Sequence, residues 1–240
     1  MPLLKPYSII KNYNRSKDMT LVVAGKFKNQ PFLMTDCVGS TINGLTFVSK
    51  LRKVRSNSNT YFSTVGSDNF ARAIEIYDED CHNQNTSIDF NSNEFIDEII
   101  DIFRLLTLRH EIGGTGLSDN GFNRIYIIEP SNIMYYDIQF DQNHENPEYT
   151  TVTVDDNHII SALFVQGIPK PIGNTNFDTK DIYNSCVLSI KIAAYADQID
   201  LKNKWSFISF EDGNIDYRVP YINKREHVLA YVGASYSEII

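Results

Sequence analysis

Cys37, Cys81 and Cys186 are the thiols of this chain, and a thiolate can bind zinc, attack a carbonyl or close a disulfide. They are odd in number and far apart, and no pair has the short spacing of a zinc site or a disulfide framework. That pattern reads as reduced thiols in a cytoplasm. The histidines at 82, 110, 144, 158 and 227 show no ligand spacing and lie mostly in polar loop contexts, so each reads as a solvated surface residue and neither a metal nor another cofactor is called for. Gly113-Gly-Thr-Gly116 comes nearest to a phosphate-cradling loop, but it follows a helical pattern where such a loop follows a strand, and it reads as a helix stop. Gly-x-Ser-x-Gly, His-x-x-x-His and Cys-x-x-Cys arrangements are absent from the sequence.

Composition narrows the classes further. With 240 residues, 42% of them hydrophobic and 12% aromatic, the chain can bury a sizeable core and is expected to fold mainly as one domain. Its 22 Lys+Arg against 30 Asp+Glu give a net charge of −8, with no basic block to neutralise a phosphate backbone, so nucleic acid is excluded as an expected partner. The apolar runs are short and broken by Asp, Asn or Lys, far below the roughly 20 residues that cross a bilayer, and no membrane is expected. The first residues, Met1-Pro-Leu-Leu-Lys-Pro, lack the apolar stretch and small-residue cleavage site of a secretory signal.

The elements follow from pattern. Residues 1–19 carry two prolines and a polar run and read as an extension or prosegment, with the folded domain expected over 20–240. From Thr20 the chain turns strand-like: Thr20–Phe27, the turn residues Lys28-Asn-Gln-Pro31, then Phe32–Asp36 predict a hairpin. Strands are expected again around Leu45–Val54 and Thr60–Val65. Asp68 is the expected N-cap of a helix to about Tyr77, and Asn91-x-x-Glu94 reads as a capping box for a second helix that Gly113-Gly114 stops. Four strands rich in Ile, Tyr and Thr are expected at Asn123–Glu129, Ile133–Phe140, Tyr149–Val154 and Ile159–Phe164. A long helix from Asp178 or Thr179 to about Asp200 and a hairpin, Trp205–Glu211 and Asn214–Val219 around Asp212-Gly213, come next, with an edge strand at Val228–Val232. Blocks of hairpins alternating with helices, without βαβ units, predict an α+β fold: two stacked antiparallel sheets with helices outside, a four-layer αββα sandwich.

Thr20-Leu-Val-Val-Ala-Gly-Lys-Phe-Lys-Asn-Gln-Pro-Phe-Leu-Met-Thr-Asp36 resembles the opening of a proteasome-type β subunit, bacterial relatives included: a threonine, a hairpin, and an aspartate sixteen positions on, without a gap. Ser49-Lys-Leu-Arg-Lys53-Val54 is similar to the family's segment in which a lysine precedes an apolar residue, with the loop before it one residue longer. Ser63-Thr-Val-Gly66-Ser67 resembles the glycine-bearing strand end that leads into the first helix, and Trp205–Gly213 the closing hairpin. Counting back from that hairpin puts Asp197 where the family has the aspartate at the end of its long helix. The resemblance covers Thr20 to about Val219, in order.

What it implies is an N-terminal-nucleophile hydrolase acting on peptide or amide bonds. A hydroxyl at the start of a chain can be deprotonated by its own α-amine, whose ordinary pKa of about 7.7–8.0 leaves a neutral fraction at pH 7. By the resemblance, Lys53 would lower the pKa of that amine or hydroxyl, Asp36 would hold the lysine, and the Gly66 N–H would receive the oxyanion. A ring or other homo-oligomer is implied, acting on a peptide or protein, while an ATP-dependent partner is not legible. Departures exist: Gln166 and Asp200 stand where the family has serines, and Asp18-Met19 stands before Thr20 instead of a glycine. Exposing the Thr20 amine needs a route, either self-cleavage or initiation at Met19 and methionine removal, and without one the site is inert. The alternative is a non-catalytic, proteasome-like structural subunit. A small-molecule amidase on the same fold is a third reading.

Overall fold

The computed structural model of the chain describes residues 19–41, 44–47, 49–111, 122–140, 147–165, 168–171, 181–196, 204–211 and 214–220. Those residues form two large antiparallel sheets, a short two-stranded ribbon and three helices.

The six-stranded sheet has the order β11-β10-β1-β2-β12-β13, from β1 (Met19–Phe27), β2 (Gln30–Asp36), β10 (His158–Val165), β11 (Ile168–Pro171), β12 (Trp205–Glu211) and β13 (Asn214–Arg218). Lys28 and Asn29 turn the first hairpin with positive φ, 50° and 62°, the mirror-image turn that matches strand twist. The five-stranded sheet runs β5-β6-β7-β8-β9, from β5 (Leu51–Lys53), β6 (Tyr61–Val65), β7 (Phe122–Glu129), β8 (Asn132–Phe140) and β9 (Pro147–Thr153). Between them in sequence, β3 (Val38–Thr41) and β4 (Gly44–Phe47) pair as the ribbon.

Strand periodicity sorts the apolar residues onto two faces. On β1, Val22 and Ala24 join Leu33, Ile208, Tyr61, Val65, Tyr126 and Ile133 in one core drawn from both large sheets. The alternate residues Leu21 and Val23 face the other way, where Phe32, Met34 and Phe207 meet Cys186, Ile190 and Ala193 of α3 (Ile182–Ala196). Burial on both faces is why these strands read as nearly continuous apolar runs. A third core lies under α1 (Asp68–Asn83) and α2 (Asn93–Glu111), where Phe70 stacks on Phe103 with centroids 4.0 Å apart over Ile125, Ile127 and Tyr136. Truncating a phenylalanine in such a stack costs about 3–5 kcal/mol.

Local details depart from the sequence expectations. Ser67, not Asp68, is the N-cap of α1: its side chain accepts the Asn69 N–H, and the helix runs to Asn83. Ser92, not Asn91, caps α2 through the Phe95 N–H at 3.1 Å. The stretch expected as one strand, Leu45–Val54, is two short strands on different sheets, because β4 folds back on β3 before the chain crosses to Leu51. The expected edge strand at 228–232 and the turn at Asp212-Gly213 lie outside the described residues. No helix among the described residues is long and apolar enough to cross a membrane.

Candidate active site

Thr20 is the second residue of β1 and shares the parity of Val22 and Ala24, so its side chain lies on the face turned toward the second sheet. Asp36 closes β2. The last ladder pair of the hairpin is Val22↔Thr35, and one step beyond it the Leu21 N–H turns to the carboxylate, 2.8 Å from Asp36 Oδ1. Val38 donates its N–H to Asp36 Oδ2, also at 2.8 Å. Two backbone donors thus fix both oxygens before any cation arrives.

The cation is Lys50. Its Nζ stands 2.8 Å from Thr20 Oγ1 and 3.0 and 3.1 Å from Asp36 Oδ1 and Oδ2. Side-chain exposure is only 11% for Lys50 and 2% for Asp36, so the pair is shielded from the solvent that weakens surface ion pairs. An ammonium has donors and no acceptor. Lys50 therefore occupies a lone pair of Thr20 Oγ1 and leaves the hydroxyl proton to point elsewhere.

The expectation that Lys53 fills this place is corrected. Lys53 ends β5 opposite Tyr61 and is exposed, whereas Lys50 immediately precedes the strand at the end facing Thr20. Both lysines precede an apolar residue, Leu51 and Val54, so the local motif does not separate them. What separates them is the strand register, Leu51↔Ser63 and Lys53↔Tyr61, which sends the two to opposite ends of β5.

Gly66 immediately follows β6, the antiparallel partner of β5, and so lies at the same end of that ladder as Lys50. Its φ of +103° is one that glycine adopts freely and side-chain-bearing residues avoid. A Cβ here would fall 2.3 Å from Asn123 Oδ1, an oxygen already accepting the Ser67 N–H at 2.8 Å. Asn123 thereby fixes the peptide that follows Gly66. Asp197, Gln166 and Asp200 lie outside the described residues.

A polar cluster not foreseen from sequence borders the lysine. Cys37 Sγ and Ser49 Oγ each lie 3.2 Å from Ser206 Oγ, and Ser49 Oγ donates to the Leu51 carbonyl at 3.0 Å. Burial pushes the Cys37 thiol up to about 11, so it stays protonated at neutral pH. No sequence signal marks the cluster, because Ser206 is 169 and 157 positions from its two partners. No group of His, Cys, Asp and Glu among the described residues is arranged to hold a metal ion.

Neither a protein-family model nor a curated protein matches this chain.

Proposed function

We propose that the chain is a threonine-type hydrolase of peptide or amide bonds, built on a four-layer αββα frame of the N-terminal-nucleophile kind and acting as a homo-oligomer once Thr20 is exposed. The observation that carries this reading is the Lys50 ammonium held by Asp36 and set 2.8 Å from Thr20 Oγ1. A strand threonine with a structural role has no need of a buried cation on its hydroxyl.

With the Met19–Thr20 bond cut, the free Thr20 amine takes the hydroxyl proton while Oγ1 attacks the substrate carbonyl carbon. Lys50, a fixed cation, offsets the charge gathering on Oγ1 at no reorganisation cost. The carbonyl oxygen becomes the oxyanion, for which the Gly66 N–H is the assigned donor. As the tetrahedral species collapses the C–N bond breaks, the leaving amine receives the proton held by the Thr20 ammonium, and an ester on Oγ1 remains. Water, deprotonated by the same amine, hydrolyses that ester and restores the hydroxyl. Asp36 does not touch substrate in this scheme; it holds Lys50 in place.

While Met19 remains attached, the Thr20 nitrogen is an amide without basic character, and the chain is an inactive precursor. One observation favours the second reading, a structural subunit: β1 continues through Met19, which pairs with Val165, so the bond to be cut lies in an ordinary extended ladder. Intact mass of the purified protein, with peptide hydrolysis by wild type and Thr20→Ala, separates the two. The hydrolase reading expects a species starting at Thr20 whose activity Thr20→Ala abolishes. A chain that keeps residues 1–19, with no difference between wild type and variant, contradicts it.

A further inference from the structure

The two members of the ion pair sit on different sheets, Asp36 at the end of β2 and Lys50 just before β5. Their chain neighbours meet on a third strand: Cys37, which follows Asp36, and Ser49, which precedes Lys50, both reach Ser206 Oγ of β12 at 3.2 Å. Ser206 is itself fixed by the ladder, opposite Thr35, and both Ser206 and Cys37 are fully buried.

The protons in this cluster can be ordered. A serine hydroxyl has one proton to give. Ser49 spends its proton on the Leu51 carbonyl, so in the Ser49–Ser206 pair Ser206 is the donor. With the Ser206 proton committed, Cys37 must donate its S–H to Ser206 Oγ. The cluster is a directed chain from the Cys37 thiol through the Ser206 and Ser49 hydroxyls to the carbonyl of Leu51. It begins one residue after Asp36 and closes around Lys50, on the carbonyl that follows it.

Resting on the hydrolase reading for its effect on catalysis, we propose that Ser206 is a positioning residue: through Cys37 and Ser49 it sets the Lys50-bearing segment of one sheet against the Asp36-bearing end of the other. It touches neither Thr20 nor substrate. Without it, the backbone before Lys50 loses the tie that Ser49 makes to the opposite sheet and is held there by the Lys50 side chain itself, so the ammonium samples positions off Thr20 Oγ1.

Ser206→Ala is the test, read in two ways. In the processed enzyme kcat falls about tenfold, the worth of one hydrogen bond, with KM changed less than about twofold. In the intact protein, whether or not it is processed, the Nζ signal of Lys50 in nitrogen-15 NMR, assigned through Lys50→Arg, loses its protection from exchange. Tyr136→Phe is the control for stability alone, since it removes a buried hydrogen bond to the Phe90 carbonyl in the core beneath α1 and α2. It is expected to lower Tm while leaving the Lys50 signal and kcat unchanged. Should Ser206→Ala lower Tm as Tyr136→Phe does and leave the Lys50 signal intact, the positioning role is overturned. Absence of hydrolysis by wild type would count against the hydrolase alone, because the NMR arm still decides the role of Ser206.

Discussion

Lys50 and Thr20 are 30 positions apart and on different sheets, yet Lys50 Nζ donates to Thr20 Oγ1 at 2.8 Å. Strand pairing within each sheet does not produce this contact; the packing of one sheet on the other does, through the core that Val22, Leu33, Leu51 and Val65 share. That contact predicts a sharp asymmetry between neighbouring lysines. On the proposed hydrolase reading, Lys50→Ala should lower kcat of the processed protein by about 10²–10⁴, the range for losing a positioned proton-transfer or charge-stabilising group. Lys53→Ala, at an exposed strand end, should stay within about twofold. Steady-state kinetics on the two variants checks the assignment, and equal losses would contradict it.

Asp36→Asn tests the cost of the shielded pair. The amide can still accept some of the N–H bonds from Leu21 and Val38, but it leaves the Lys50 charge uncompensated in a site of little exposure. Removing one partner of a buried pair costs about 3–5 kcal/mol. Urea unfolding should show a midpoint lowered accordingly, with the slope unchanged. The double variant Asp36→Asn/Lys50→Met should recover part of that loss without recovering hydrolysis.

Gly66→Ala meets two obstacles, a φ of +103° and a contact 2.3 Å from Asn123 Oδ1. The backbone penalty alone is of order 1–3 kcal/mol. The expected outcome is a folded but destabilised protein in which, on the proposed hydrolase reading, kcat falls more than KM rises, since the proposed oxyanion donor would act in the transition state. Thermal unfolding and kinetics measure the two effects on one sample.

Alkaline pH gives a prediction with a definite sign. Burial holds the Cys37 thiol at about 11 against an ordinary 9.0, and the Tyr126 phenol at about 12 against 10.0 despite the opposing Arg124 charge. Both groups keep their protons in the folded state at pH values where the unfolded chain has lost them. Their contribution to stability is complete below about 9 and declines as pH rises through about 12. Urea midpoints measured at successive pH values should therefore fall above about 9. A thiol reagent at pH 8 should label the partly exposed Cys81 before the buried Cys37 and Cys186.

The sequence carried the hairpins well where apolar period and turn residues agreed, and the helices less closely: the one expected to end near Tyr77 runs to Asn83, and the one expected from Asp178 or Thr179 begins at Ile182. Strands expected at Asn123–Glu129 and Ile133–Phe140 are observed at Phe122–Glu129 and Asn132–Phe140, and the closing hairpin falls within a residue of its expected place. The run Leu45–Val54 misled: β3 and β4 pair as a ribbon that breaks the long strand expected there. The nearness of Thr20 to Asp36 was legible because one hairpin of fixed length joins them, so sequence spacing is also spatial spacing. Lys50 was not, since its place depends on which residue of Ser49–Val54 pairs with Ser63, a fact of tertiary pairing. Ser206 is farther still from legibility, for a lone serine in a strand carries no mark of partners on two other segments.

In the proposed hydrolase, Thr20 presents a free amine and a free hydroxyl together beside Lys50. A peptide epoxyketone tests both at once, because ring closure to a morpholine adduct consumes the two groups of an N-terminal threonine. Peptide mapping by mass spectrometry after such treatment should find the adduct on Thr20 as the first residue of the chain, formed far more slowly in Lys50→Ala. An adduct on another residue, or a chain beginning at Thr20 that forms none, would contradict the account.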